Sequence, residues 1–405
     1  MNNYILTKKL KTNELSTFYS FLFGLIIAFL IGSIILFLQS KNPLEVFSLM
    51  IKLSVGSLNS LSNSLNKAIP LILAGLGISI INSVKLWNIG AEGQIFMGAL
   101  ALNLVYINVT IGNSNLFIFI LLISGFLGGS FCILLPALAK TLFGVNEIIT
   151  TLLTNYIVFG LTIYLVNGVW KDPNSLNFPA AAYVDKSVYL PIVTSKLSSG
   201  FLICILFTFI AYYLKEKSVF GYELRIAGGS ELTALYAGIK SKQVAFIAML
   251  IGGGFAGLAG AYLVLESSGI YREGQTAGRG FIGLASMIFG NYKPLGIFLG
   301  SGLFGFADAL QLRSDEAVHG LLILISLILL IITIKQFIEK KYMNSAISIA
   351  LSIAFLIWFL NSETVPSEFV YFTPHITTLI VLSSASQKLR MPKKVGQPYR
   401  KGELN

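Results

Sequence analysis

The chain has 405 residues, of which 55% are hydrophobic and only 12% charged, with a net charge of +11 and a mean hydropathy of +0.78. Soluble domains carry about 25% charged residues, so this composition excludes an ordinary soluble enzyme. The basic residues sit in short clusters beside apolar runs, where they set membrane orientation, which argues against a nucleic-acid partner.

In chain order, residues 1–17 form an arm carrying Lys8, Lys9 and Lys11. Phe18–Leu38 is too long for the apolar part of a signal peptide and lacks a small-residue cleavage site, so it reads as the first membrane anchor. Further spans are predicted at about 68–84, 95–110, 116–138, 148–167, 199–214, 243–265, 294–311, 318–334, 344–360 and 373–387, measured against the roughly 20 residues that cross a bilayer. The 280–290 stretch is too short to cross alone and reads as a broken or re-entrant helix. Counted as one crossing, it places the arm, the 215–242 loop, the 335–341 loop and the tail at 388–405 on one side. Their lysines and arginines make that side cytoplasmic. The loops at 40–67, 170–198, 266–278, 313–317 and 361–372 fall on the other. The expected fold class is all-α, a polytopic membrane protein of about 10–12 helices, some short or broken. Cys132 and Cys204 lie inside apolar runs, so no disulfide framework is expected.

Leu86-Trp87-Asn88-Ile89-Gly90-Ala91-Glu92-Gly93-Gln94 interrupts the apolar pattern with a carboxylate, two amides and two glycines. A carboxylate at mid-membrane costs about 2.5–3.5 kcal/mol or more, so it must face a cavity, a partner or water. Gly278-Arg279-Gly280 begins a similar glycine-rich apolar run in the second half, as expected of two related halves around a pathway. Gly252-Gly253-Gly254-Phe255-Ala256-Gly257-Leu258-Ala259-Gly260 has small-xxx-small spacing, which predicts close helix packing rather than a hinge. No phosphate loop, no Cys/His metal cluster and no nucleophile elbow occurs. His319 and His375 are the only histidines and are far apart. Uphill transport by this chain must therefore use an ion gradient or ATP hydrolysed on another subunit. The polar 220–239 loop keeps helical apolar spacing, with Ser230 placed to cap a short helix that suits docking into a partner's groove.

Taken in order, Asn88–Gln94, Gly144-Val145-Asn146-Glu147-Ile148 through Asn155-Tyr156, Gly221-x-Glu223-Leu224-Arg225 through Tyr236-Ala237-Gly238-Ile239, Thr276–Ile282, Leu303–Gln311 and Gly396-Gln397-Pro398-Tyr399 resemble bacterial ABC-importer permeases of the branched-chain amino acid, monosaccharide and nucleoside superfamily, nucleoside-type members above all. The resemblance implies a permease core at 18–313 with its coupling loop at 215–242, a last transmembrane segment at 363–387 and a cytoplasmic tail at 388–405. Residues 314–362 look like an inserted two-helix hairpin. It implies a cell-membrane protein with both termini cytoplasmic, working with a cytoplasmic ATPase, a second permease (the same chain or a sibling) and an external substrate-binding lipoprotein. No cofactor or metal is expected on this chain, ATP being used by the partner. Asn88, Glu92, Gln94, Asn155 and Arg279 are the expected substrate-pathway residues, with Glu92 expected to pair with Arg279 across the halves. Glu147 and Asp308 are expected at interfaces or helix ends. Gly221, Glu223, Leu224, Arg225, Ala237 and Gly238 are the expected ATPase-coupling residues, with Gly221 and Gly238 bounding one coupling helix. The competing readings are the same machine carrying a monosaccharide or branched-chain amino acid, and an ion-coupled secondary transporter.

Overall fold

The computed structural model describes residues 56–173, 179–311 and 342–361, with single residues at 33, 37, 42, 44, 45, 48, 326, 330 and 333. The N-terminal arm, most of the first anchor, the segment 363–387, the tail, His319 and His375 lie outside the described residues. The chain divides into two compact units, one containing residues 54–312 and the other residues 313–370.

The larger unit is a helical bundle. Its helices are α1 (Leu58–Ser83), α2 (Ala91–Asn108), α3 (Ser114–Phe143), α4 (Glu147–Asn167), α5 (Gly200–Tyr212), α6 (Val219–Gly229), α7 (Glu231–Tyr236), α8 (Ser241–Tyr262), α9 (Arg279–Phe289) and α10 (Pro294–Gln311). Helices α5 and α8 each end in one wider π-helical turn, Tyr213–Lys217 and Leu263–Ser268. Leu58–Ser83, Ser114–Phe143, Glu147–Asn167 and Ser241–Glu266 are long and apolar enough to cross a membrane by length and composition. A short hairpin, β1 (Ile192–Thr194) with β2 (Leu197–Ser198), is the only sheet among the described residues.

Helix α1 begins ten residues earlier than its hydropathy predicts. The serines and asparagines of its first turns lower that hydropathy, yet Ser62, Ser64 and Asn66 are buried. Ser62 Oγ bonds back to Leu58 O at 2.7 Å. The Asn66 amide donates to Lys196 O and Glu266 Oε1 and accepts from Ser198 N. The segment 58–67 is thus helix rather than part of an outer loop: its polar groups find partners inside the bundle.

The glycine run of α8 is packing. Gly257 abuts Gly125 and Gly129 of α3, and Gly98 of α2 abuts Gly257. On another face Gly252 touches Gly77 of α1. In a membrane such contacts gain dispersion energy only if the backbones can approach closely, which a side chain larger than hydrogen prevents.

In the smaller unit, α11 (Tyr342–Asn361) covers the span expected at 344–360. Ser326 Oγ donates to Ser352 O at 2.9 Å and Ser352 Oγ donates to Ser326 O at 2.8 Å. The two expected spans of the hairpin therefore meet through reciprocal serine bonds.

Candidate functional site

The interrupted segment 84–90 leaves helix α1 and runs along helix α4. Buried backbone outside a helix needs partners, and α4 supplies them from side chains four residues apart. Glu147 accepts from Trp87 N at 3.4 Å, Thr151 from Ile89 N at 3.2 Å, and Asn155 from Gly93 N at 2.8 Å. Asn155 returns a bond to Ile89 O at 2.9 Å. Asn88 and Gln94 pair amide to amide at 2.9 and 3.0 Å, and Asn88 also accepts from Gly90 N. Lys140 neutralises Glu147 at 2.8 Å, which accounts for a buried carboxylate at a helix start.

Glu92 is 3% exposed and binds the start of the other broken segment. Its Oε1 accepts from the Thr276 hydroxyl and from Gly278 N at 2.9 Å, and its Oε2 from Gly280 N at 2.6 Å. Ala277 and Gly278 are both left-handed, at φ 46° and 76°, and this turn presents the amides at the N-terminus of α9 to the carboxylate. The positive end of a helix dipole favours an anion there. The expected Glu92–Arg279 pair does not form. Arg279 turns instead to Asp308 at 3.2 Å, which also pairs with Lys67 at 3.4 Å. Backbone amides leave Glu92 stabilised without a cation, and that frees the guanidinium for a carboxylate on α10.

The short α9 connects the two ends of the bundle. Its lead-in is held to the hairpin end of the bundle, where Ala181 N donates to Tyr271 O and Val184 N to Gly269 O. Its far end meets the start of the 215–242 loop, where Lys215 Nζ donates to Tyr292 O at 2.7 Å.

Beside the carboxylate lies a cavity of about 330 Å³ lined by Glu92, Phe96, Phe159, Thr162, Ile163, Glu273, Gly274, Thr276, Ala277 and Gly278. This is at the lower end of small-molecule pockets. Phe96 and Phe159 meet edge to face at 5.2 Å and form its aromatic wall. Thr162 is fixed by a 2.6 Å hydrogen bond to the Tyr271 hydroxyl, and Glu273 is exposed. The cavity wall is mainly apolar and aromatic, with hydroxyl and carboxylate groups among its lining. Among the described residues no cluster could hold a metal ion.

At the opposite end, the 215–242 loop holds two short helices where the sequence predicts a single one. Ser218 caps α6 by accepting from Gly221 N, and Ser230 caps α7 by accepting from Thr233 N. Gly221 therefore lies inside the first helix. Gly238 follows the second, left-handed at φ 69°, just after Ala237. Leu224 is buried, Glu223 half-buried, and Arg225 pairs with Glu216 at 3.7 Å. Val219, Tyr222, Leu232, Leu235 and Tyr236 stand exposed, Tyr236 at 89%, so the two helices leave several large apolar side chains uncovered.

Residues 60–333 match the family profile described as branched-chain amino acid transport system / permease component. The chain belongs to this permease family. The glucose ABC transporter permease protein TsgB13 of Haloferax volcanii is 29% identical over 68% of this chain and 75% of its own length. The guanosine ABC transporter permease protein NupP of Bacillus subtilis is 28% identical over 70% and 82%. The nucleoside ABC transporter permease protein NupB of Lactococcus lactis is 26% identical over 70% and 80%. No solved structure matches. The family match includes 318–333, the first span of the segment that the sequence reading sets aside as an insertion.

Of the residues expected along the permease's pathway, only Glu92 lines the cavity. Asn88 and Gln94 are engaged with each other, Asn155 with the backbone of Ile89 and Gly93, and Arg279 is held by Asp308. Phe96, Phe159, Thr162 and Thr276 were missed. Their signal was spacing: Phe96 is one helical turn beyond Glu92, and Phe159 and Thr162 continue the face of Glu147, Thr151 and Asn155. Asn155→Ala is expected to destabilise the purified permease by about 2–3 kcal/mol, because it strands Gly93 N and Ile89 O in a buried segment. Thermal unfolding in detergent checks this, with exposed Tyr164→Ala as the neutral reference.

Proposed function

We propose that the chain is the membrane-spanning subunit of an ATP-driven importer that passes nucleosides through the cavity at Glu92. The observation that carries the reading is the pairing of an aromatic wall, Phe96 and Phe159, with hydroxyl and carboxylate groups. A nucleobase presents a flat face to the wall and a ribose presents donors to the oxygens, whereas a hexose has no aromatic ring. Relatives named for guanosine and nucleosides support this choice, and the glucose relative defines the alternative. The pathway must release its cargo, so tight binding belongs to an external binding protein docking at the hairpin end. The exposed apolar surface of α6 and α7 is the proposed seat of the ATPase, with Glu223 and Arg225 facing its charges and Gly221, Leu224, Ala237 and Gly238 shaping the loop. This end is then cytoplasmic. Asn88, Gln94, Asn155 and Arg279 serve the pathway by holding its walls. A second permease, the same chain or a sibling, completes the channel.

The test is uptake of radiolabelled guanosine and glucose in cells with and without this chain, with an ionophore present and ATP controlled. Deletion is expected to remove ATP-dependent, ionophore-resistant guanosine uptake and to leave glucose uptake unchanged. Phe159→Ala is expected to reduce guanosine uptake about fivefold or more, as loss of one base-stacking contact is worth about 1–3 kcal/mol. Loss of glucose uptake alone would move the assignment to sugars, and ionophore-sensitive uptake would move it to secondary transport.

A further inference from the structure

Helix α6 packs along α8, and each of its two ends is also tied to an element that leads to Glu92. At its C-terminal end Gly228 lies against Ser83 and Val84, and Lys85 Nζ donates to Gly229 O at 3.1 Å. That turn feeds directly into the irregular segment that leads to α2, whose second residue is Glu92. At its N-terminal end Gly221 packs against the carbonyls of Leu214 and Lys215, too closely for a methyl group, and Arg225 donates to Lys215 O. The Lys215 ammonium is buried and reaches across to two other elements. It donates to Ser79 O at 3.1 Å, Ser79 Oγ at 3.2 Å and Tyr292 O at 2.7 Å. Tyr292 closes the turn after α9, left-handed at φ 63°. The other end of α9 is the one that Glu92 caps.

We propose that Lys215 is the positioning residue that ties the docking helix α6 to the half-helix α9. Displacement of α6 then moves one side of the Glu92 clamp through α9 and the other side through 83–90. This rests on the reading of the chain as an ATP-driven permease. The chemistry suits the role. An ammonium with its donors satisfied by carbonyls and a hydroxyl makes charge-assisted bonds. Packed helices transmit displacement because protein interiors compress little. The two routes end on opposite partners of the same set of hydrogen bonds, Glu92 on one side and Thr276, Gly278 and Gly280 on the other. A small relative movement therefore opens or closes the cavity wall.

Two measurements on Lys215→Met, which keeps the length and removes the donors, test the proposal. On the purified chain alone, backbone hydrogen exchange in peptides covering 279–292 is expected to quicken about tenfold or more, while α3 and the middle of α8 keep their rates. Unchanged exchange at 279–292 overturns the tether whatever the chain transports. In proteoliposomes holding the full complex with its co-purifying ATPase, guanosine carried per ATP hydrolysed is expected to fall at least about tenfold at unchanged ATPase content and hydrolysis rate. An unchanged ratio, or loss of the ATPase from the complex, overturns the coupling role. Lys215→Arg, which keeps the charge and donors, is expected to recover part of the ratio. If Lys215→Met does not give monodisperse protein, Lys215→Gln is judged by the same criteria. Wild-type uptake that ignores ATP, with faster exchange in the variant, overturns the functional reading and leaves the tether standing.

Discussion

Glu92→Ala is expected to abolish uptake and to lower the unfolding temperature of the detergent-purified chain by about 10 °C or more. The substitution strands Gly278 N, Gly280 N and the Thr276 hydroxyl in the bundle interior. Hydrogen bonds to a charged group are worth about 1.5–3 kcal/mol each, and the helix-dipole contribution of a partly buried carboxylate adds up to ~2 kcal/mol. Glu92→Gln separates charge from shape. Both carboxylate oxygens accept backbone donors, so an amide must turn its NH2 toward one of them. It is therefore expected to fold with a smaller loss of stability and still to transport poorly. Full uptake by Glu92→Gln would show that the clamp's charge is dispensable. A stable Glu92→Ala protein would show that water or a neighbouring group takes over the stranded donors.

Gly257→Leu is expected to leave no monodisperse protein. Around Gly257 three helices pass backbone to backbone, with Gly98 of α2 and Gly125 and Gly129 of α3 in contact. Overpacking a core usually costs about 1–3 kcal/mol, or more where nothing gives way, and backbone has no rotamer into which to retreat. The neighbouring Gly254 provides the contrast. The nearest atoms a methyl group there would meet belong to the ring of Phe126, a side chain that can swing aside. The ranking Gly254→Ala, then Gly257→Ala, then Gly257→Leu, from mildest to worst, follows from which kind of atom is met. Fluorescence-detected size exclusion of the three variants measures it. Equal behaviour of Gly254→Ala and Gly257→Ala would mean that α2 and α3 can slide apart without loss.

The sequence by itself determined that this is a helical membrane protein and that 86–94 breaks its pattern. It also placed the small residues of 252–260 in a packed interface and Ser230 at a helix start. These features depend on near neighbours in the chain, on apolar run length, glycine spacing and capping, which composition and periodicity report directly. The tertiary structure decided what Glu92 binds. Its donors are backbone amides of Gly278 and Gly280, and an amide N–H carries no signature of residue type, so the charge rule pointed to Arg279 instead. The folded chain also decided that Asn88 and Gln94 satisfy each other and that Asn155 is held by the backbone of Ile89 and Gly93, since nothing in an amide side chain says whether its partner is a solute or the chain itself. The polar start of α1 was misplaced for a related reason. Hydropathy treats Ser62, Ser64 and Asn66 as wet, but a hydrogen bond to a distant segment buries them at little net cost. The cavity needed three dimensions altogether, because its walls come from α2, α4 and the turn before α9, and sequence order holds no record of which distant faces meet.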